Sequence, residues 1–246
     1  MKTRVRVGGD LNTALRGEYQ VDVNQILQEG WEITKKSKSN ILKGLAVIIM
    51  TSLLVSGLVL ELSGQENFQE MSEGDRFLLD IIITVLVAPI IASLSMMGIS
   101  HSVGAITRPA YIFHFVAKSL PIIMTTLITT AVVHIGFVLL ILPGVYLFVA
   151  TGFAIPLLLD KQLRPSESVI TSIRVVNYQW FAFVKIYLFF LVLGLLSIVT
   201  FGIALVWVAP YYYNVKGILY RNVFGVDVHI QTSDDQELRA DDIFHA

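Results

Sequence analysis

Four ionisable side chains interrupt the long apolar runs of this sequence, and they are its first candidates for chemistry. Lys43 and Lys185 stand near the starts of two runs. Asp80 stands near the start of a third run, and His134 lies deep inside a fourth. Ionisable groups inside apolar spans relay protons, line ion pathways or pair with one another. Because a pathway needs a chain of such groups, Asp80 and His134 alone indicate at most one polar site shared by two helices.

Each of these side chains also has a structural interpretation. Lys43 and Lys185 can extend along their helices until the ammonium reaches the lipid head groups. Asp80 lies one turn inside a span end, where it reaches interfacial water. For His134 we expect a neutral ring, buried between helices and hydrogen-bonded to a group such as Thr130, because an unsatisfied imidazole in hydrocarbon is costly. We favour the structural interpretation, with an Asp80–His134 pair as the functional alternative.

Other chemical signatures are missing from the sequence. The chain has no cysteine, which excludes disulfides, thiol catalysis and thiolate metal sites. Its remaining histidines show no spacing typical of a metal site; they are His101, His114, His229 and His245. No glycine-rich phosphate loop and no nucleophile–base pair is evident. We therefore predict a protein that is not an enzyme and that needs no metal or cofactor.

The composition indicates an integral membrane protein. Charged residues make up 15% of the chain and apolar residues 54%, and the mean hydropathy is +0.69. A soluble domain carries about 25% charged residues, so a soluble fold of this composition would leave too much apolar surface in water. The net charge of −1 gives no indication of a nucleic-acid partner.

The apolar runs predict an all-α fold with six transmembrane helices, because a backbone in hydrocarbon must satisfy its own hydrogen bonds and no barrel-like alternation is present. The last run has no charged residue between Lys185 and Lys216, which is too long for one span. We divide it at Thr200-Phe201-Gly202; leaving it undivided gives five spans. The six predicted spans are residues 41–60, 77–99, 119–142, 145–159, 180–198 and 203–220.

Three segments before the odd-numbered spans are predicted to be amphipathic helices, at residues 21–36, 109–118 and 165–178. Each either lies flat at the inner membrane surface or packs on the cytoplasmic ends of the protein's own spans. Together with the spans they indicate a threefold internal repeat, over residues 21–101, 107–160 and 164–222. The predicted apolar faces consist of Val23, Ile26, Leu27 and Trp31; Tyr111, Ile112, Phe115 and Val116; and Val169, Ile170, Ile173 and Val176.

Prolines and small residues mark positions inside this repeat. Pro89, Pro156 and Pro210 lie in the second, fourth and sixth spans, where we expect kinks. Pro143-Gly144 predicts a tight turn between the third and fourth spans. Small residues four apart predict close helix packing; these pairs are Gly98 with Ser102, Ala88 with Ala92, and Ala150 with Ala154.

The distribution of lysine and arginine predicts the orientation. With six spans, every basic cluster falls on one side of the membrane, so both termini are predicted to be cytoplasmic. Residues 1–20 and 226–246 then form cytoplasmic tails around a membrane domain of residues 21–225. Residues 4–7 and 226–230 both alternate as short strands, and we expect them to pair. Residues 233–242 form an acidic segment.

The stretch from His134 onward resembles a known family. It contains a Leu142-Pro143-Gly144 turn, small and apolar residues leading to Pro156, Asp160 at a helix end, and then an amphipathic segment. These features resemble the YciC-like proteins of the bacterial inner membrane, and also the membrane domain attached to some glycerophosphodiester phosphodiesterases. The resemblance implies a multi-span inner-membrane protein with no catalytic residues, and its motifs are structural.

Two functions remain open from the sequence. The first is a non-enzymatic protein that organises or senses the bilayer, or that partners another envelope protein. The alternative is a small transporter or lipid-handling protein with a cavity near His134 and Asp80. Membrane lipids are the expected partners in both cases. A polar cavity would favour the alternative, and a filled apolar bundle would favour the first.

Overall fold

The chain folds into nine α-helices and two short strands, counted over the part that the computed structural model describes, which is residues 2–64, 68–231, 240 and 243. Residues 109–118 form two 3₁₀ turns. The acidic segment predicted at 233–242 lies almost wholly outside the described residues. The elements are β1 (Lys2–Val7), α1 (Leu11–Leu15), α2 (Val23–Ser63), α3 (Glu73–Ser102), α4 (Ser119–Leu139), α5 (Ile141–Ala150), α6 (Ala154–Asp160), α7 (Pro165–Tyr178), α8 (Trp180–Val199), α9 (Leu205–Phe224) and β2 (Val226–Gln231).

Five helical segments of the described chain are long and apolar enough to cross a membrane, which confirms an all-α protein of membrane character. They are Val23–Ser63, Glu73–Ser102, Pro109–Leu139, Ile141–Asp160 and Trp180–Val199. The predicted sixth span corresponds to α9, which has 20 residues but is not among these five. The polar residues Asn214, Lys216 and Arg221 lower its hydropathy, and α9 packs between α2 and α3.

The first amphipathic helix and the first span are one continuous helix, so predicting two separate elements was wrong. Helix α2 has 41 residues, about 60 Å at 1.5 Å per residue. Asp22 caps its start by accepting a hydrogen bond from the Gln25 N–H (3.1 Å). Gly64 ends it in the left-handed conformation, with φ of 66°. Between the two predicted elements, the Ser37 hydroxyl donates to the Ile33 carbonyl inside the helix.

The other two predicted amphipathic segments pack on the protein. Residues 109–118 form 3₁₀ turns rather than an α-helix, and Tyr111, Ile112 and Phe115 are buried. Helix α7 has the predicted bounds, 165–178, but its packed face is rotated from the predicted one. Ile170 is 57% exposed. The residues of α7 that are buried are Ser168, Val169, Ser172, Val175 and Val176.

The structure moves one predicted turn and confirms another. The chain turns at Leu140, which is extended, and Pro143 and Gly144 lie in the first turn of α5 instead of forming the turn themselves. Gly144 lets the Phe137 ring approach, because a Cβ there would overlap that ring. The second turn lies at Thr200–Gly202 as predicted, with positive φ at Phe201 (50°) and Gly202 (86°).

The prolines of the even-numbered predicted spans occupy different positions within their helices. Pro89 lies inside α3, and Pro210 lies inside α9. Pro156 is in the first turn of α6, after a break in the predicted fourth span. Proline is tolerated in a first turn because that N–H has no partner within the helix. The predicted fourth span is therefore two helices, α5 and α6, joined by residues 151–153.

Helices α3 and α9 cross at two glycines, and this crossing is the centre of the core. A Cβ at Gly98 would overlap the Tyr213 carbonyl, and a Cβ at Gly217 would overlap the Gly98 carbonyl. The backbones therefore approach more closely than any other residue would allow. Every residue of α3 from Val87 to Ser102 is buried except Ile91. The close packing predicted for Gly98 is confirmed.

The two strands pair as predicted. Strand β1 runs antiparallel to β2, with Val5 opposite Val228 and Val7 opposite Val226. Helix α1, which lies in the predicted N-terminal tail, contacts α7 and α9. Part of that tail is therefore folded against the helix bundle.

Candidate functional site

A cavity of 330 Å³ lies among α3, α4, α5, α6, α8 and α9. We call it the His134 cavity. Its lining combines apolar side chains with hydroxyl groups, one imidazole and one ammonium, and includes no carboxylate. The lining residues are Ile91, Ser95, Thr126, Thr129, Thr130, Val133, His134, Phe148, Thr151, Gly152, Ala154, Ile155, Tyr187, Tyr212 and Lys216.

His134 reaches the cavity from α4, but it is exposed on the bundle surface rather than buried between helices as expected. Its Nδ1 lies 2.9 Å from the carbonyl oxygen of Thr130, the residue anticipated as its partner. A carbonyl oxygen only accepts, so Nδ1 carries the proton in this contact.

Asp80 is exposed on α3 and does not line the cavity. It precedes Ser95, which does line the cavity, by fifteen residues on the same helix, roughly 22 Å along the axis. In the described part of the chain, no hydrogen bond or ion pair joins Asp80 to His134. The structure therefore does not bring the two predicted site residues together.

Lys216 is the charged group of the cavity, although a basic residue near the end of a predicted span is expected among the cytoplasmic charges. It lies on α9, half-buried, with Nζ 5.8 Å from the centroid of the Tyr212 ring. No carboxylate lies within 4.0 Å of it among the described residues. The signal was available, because Lys216 falls inside the predicted span of residues 203–220.

The cavity has more hydrogen-bond donors than it can satisfy. The hydroxyl oxygen of Thr129 is buried and makes no hydrogen bond within the described residues, and the buried hydroxyl of Tyr187 has the Tyr212 hydroxyl as its neighbour. Other hydroxyls donate to backbone carbonyls of their own helices: Ser95 to Ile91 (3.1 Å), Thr126 to Ile122 (2.9 Å) and Thr151 to Leu147 (2.7 Å). The cavity thus offers unused donors to an acceptor-rich group.

The break between α5 and α6 forms one wall of the cavity and is held by Ser172 of α7. The Ser172 hydroxyl donates to the Ala150 carbonyl (2.6 Å) and accepts from the Phe153 N–H (3.1 Å). Broken helices in membranes are tolerated where the backbone is buried in protein or lines a cavity. Gly152 in this break leaves room for the Tyr187 hydroxyl, which a Cβ would overlap.

A buried network joins α2, α3 and α9 beside the cavity. His101 is only 7% exposed. Its Nδ1 lies 2.9 Å from Asn214 Oδ1, and its Nε2 lies 2.9 Å from Thr107 Oγ1. The Asn214 amide also donates to Thr34 Oγ1 (3.0 Å). Because both ring nitrogens of His101 have partners, this histidine fixes the positions of the helices around it.

Ion pairs tie the helix ends together. Arg221 Nη1 lies 2.6 Å from Glu29 Oε1, which joins α9 to α2. The Tyr220 hydroxyl donates to Asp160 Oδ2 (2.6 Å), which joins α9 to α6. Asp160 also pairs with Lys161 (2.9 Å). These contacts close the end of the bundle formed by the last residues of α3, α6 and α9.

Within the described residues, no group of three or more histidine, aspartate or glutamate side chains could hold a metal ion. Within the described residues, no hydrogen bond joins the other ring nitrogen of His134 to a hydroxyl of the cavity, so no nucleophile is paired with a base there. What the arrangement can do is bind a polar group by hydrogen bonds and charge.

No model of a known protein family, no curated protein and no solved structure matches this chain. The resemblance to the YciC-like proteins therefore stays a prediction.

Proposed function

We propose that this chain is a non-enzymatic, multi-span membrane protein that takes an amphiphilic molecule from the bilayer and holds its polar head in the His134 cavity. The observation that carries this proposal is the set of hydrogen-bond donors from three helices, Thr129, Tyr187 and Lys216, around one volume of 330 Å³ between apolar helices. Between the two functions left open by the sequence, the cavity favours lipid handling over organising the bilayer.

The surroundings of the cavity support a membrane ligand. His134 and Thr130 are exposed, so the cavity reaches the outer face of the bundle. The neighbouring surface of α4 and α5 is apolar, with Val138 86% exposed and Leu142 81% exposed. Such a surface faces acyl chains in a bilayer. A molecule with an apolar tail and a polar head satisfies the surface and the cavity together.

The broken helix also supports a binding role. In transporters, substrate sites are commonly formed by discontinuous helices at membrane depth. The α5–α6 break places Thr151 and Gly152 at the cavity wall. We extend the proposal to six spans with cytoplasmic termini in a bacterial inner membrane, with α9 as the sixth span, and to the threefold repeat and the family resemblance.

The test is retention of lipid by a variant whose cavity is filled. Native mass spectrometry of the protein released from lipid nanodiscs should detect bound lipid on the wild type. Thr130→Trp places a large ring at the cavity mouth and should abolish retention. Leu127→Trp is the matched control, because Leu127 lies on the same helix, is 41% exposed and does not line the cavity. Equal retention by the two variants would overturn the proposal.

A further inference from the structure

Lys216 introduces a positive charge that its surroundings do not balance. Its ammonium has no hydrogen bond or ion pair within the described residues, and no aspartate or glutamate lines the cavity. The Tyr212 ring, 5.8 Å from Nζ, offers only a weak attraction. Placing an ammonium away from water without an opposite charge is unfavourable. A ligand with a negative charge would remove this imbalance.

Two buried hydroxyls of the cavity specify the ligand further. Thr129 Oγ1 on α4 is buried and has no partner in the described chain, and Tyr187 Oη on α8 is buried with the Tyr212 hydroxyl as its neighbour. Together with Lys216 on α9, they provide donors from three different helices. A group that satisfies all three needs several acceptor oxygens. The volume of 330 Å³ is far more than the about 30 Å³ of one water, so a polyatomic anion fits.

Resting on the proposed function, we propose that the head group held in the His134 cavity is a phosphate that carries negative charge. Its oxygens accept hydrogen bonds from Lys216 Nζ, Tyr187 Oη and Thr129 Oγ1. Charge-assisted hydrogen bonds to phosphate are about twice as strong as neutral ones. A zwitterionic phospholipid would bring a cation into a cavity that contains no carboxylate, so the ligand class is an anionic phospholipid rather than a choline lipid.

The experiment compares lipid retention from nanodiscs that contain equal amounts of phosphatidylglycerol and phosphatidylcholine. The wild type should retain phosphatidylglycerol in preference, and Lys216→Gln should lower that preference at least about tenfold. Lys43→Gln is the matched control, because Lys43 is exposed on α2 and lies outside the cavity. It should keep the wild-type preference. An unchanged preference in Lys216→Gln would overturn the phosphate assignment.

A second variant tests the site without changing charge. Tyr187→Phe removes one cavity hydroxyl, whose neighbour in the described chain is the Tyr212 hydroxyl, and keeps the packed ring, so the protein should still fold. Retention of phosphatidylglycerol should still fall several-fold if that hydroxyl donates to the ligand. Wild-type retention in a folded Tyr187→Phe protein would contradict the proposal, even if Lys216→Gln fails to fold.

Two further comparisons separate the sources of the phosphate and the two proposals. Inorganic phosphate added in detergent should not raise the melting temperature of the wild type; a rise that Lys216→Gln lacks would identify a free anion and overturn the lipid assignment. If the wild type retains lipid without preferring phosphatidylglycerol, only the phosphate assignment is overturned, and lipid binding in the cavity stands. Equal retention by the wild type and Thr130→Trp overturns the proposed function itself.

Discussion

Replacing Gly217 by alanine should separate α3 from α9 and destabilise the whole bundle. The added Cβ would overlap the Gly98 carbonyl and lie 2.6 Å from the Ile99 nitrogen. These are backbone atoms inside a buried helix and cannot rotate away. An ordinary carbon contact is at least 3.4 Å, so the helices must move apart by about 1 Å, which forfeits a quarter to a half of the dispersion energy across the gap.

We expect Gly217→Ala to cost about 2–3 kcal/mol, the upper part of the range of about 1–3 kcal/mol that is typical of overpacked cores, because the added Cβ meets backbone atoms. The gain in helix propensity, about 1 kcal/mol for glycine to alanine, offsets part of a larger packing loss. For a chain of this size, the melting temperature should fall by roughly 4–12 °C. The measurement is thermal unfolding in detergent micelles, followed by tryptophan fluorescence.

Gly194→Ala is the matched control. Gly194 lies in α8, where an added Cβ would meet no atom within 4 Å. This variant should be as stable as the wild type or slightly more stable. If Gly217→Ala melts at the same temperature as Gly194→Ala, the reasoning about the α3–α9 crossing is refuted.

Three further predictions test the fold. Ser172→Ala should lower the free energy of unfolding by about 2–4 kcal/mol, because two buried backbone groups of the α5–α6 break lose their partner. The control Ser166→Ala, at an exposed position of the same helix, should change it by about 0.5 kcal/mol at most. Similar losses in the two variants would disprove the role of Ser172. Asn214→Ala should cost about 1–3 kcal/mol by leaving the buried histidine network unpaired, and an unchanged melting temperature would refute this. Reporter fusions within residues 68–73 and after Arg221 should report opposite sides of the membrane, and the same side for both would eliminate the six-span topology.

The sequence predicted the elements better than it predicted their contacts. Long apolar runs identify membrane helices because burial in lipid requires them, and Pro165 marks the start of α7 correctly. The alternation in residues 4–7 and 226–230 predicted the strand pair. The predicted gap inside α2 failed because residues 37–40 contain no helix breaker, and packing against neighbouring helices stabilises the continuous helix.

The candidate site was predicted only in part. His134 was singled out because a histidine in an apolar run is unusual, and its contact with Thr130 follows from helix spacing. Its exposure could not be predicted, because the rotation of α4 depends on packing against other helices. The rotated face of α7 has the same cause: Ser172 is buried because it bonds the α5–α6 break, an interaction between distant residues.

The position of Lys216 in the cavity could not be predicted from the sequence pattern around it. Positive charges near the end of a span are usually assigned to the cytoplasmic surface. In the structure this lysine faces a cavity built from several helices. No local pattern places Thr129, Tyr187 and Lys216 together, since they come from three helices and meet only through the tertiary fold.

The most direct test of the central claim is photo-crosslinking with a phospholipid that carries a photoactivatable group on its head. After illumination in nanodiscs, crosslinked positions are mapped by peptide mass spectrometry. A head group held in the His134 cavity should label Thr129, Thr130 and Tyr187. Labelling confined to the exposed residues of α2 and α8, with none in the cavity, would contradict the proposal that this protein binds a lipid head group there.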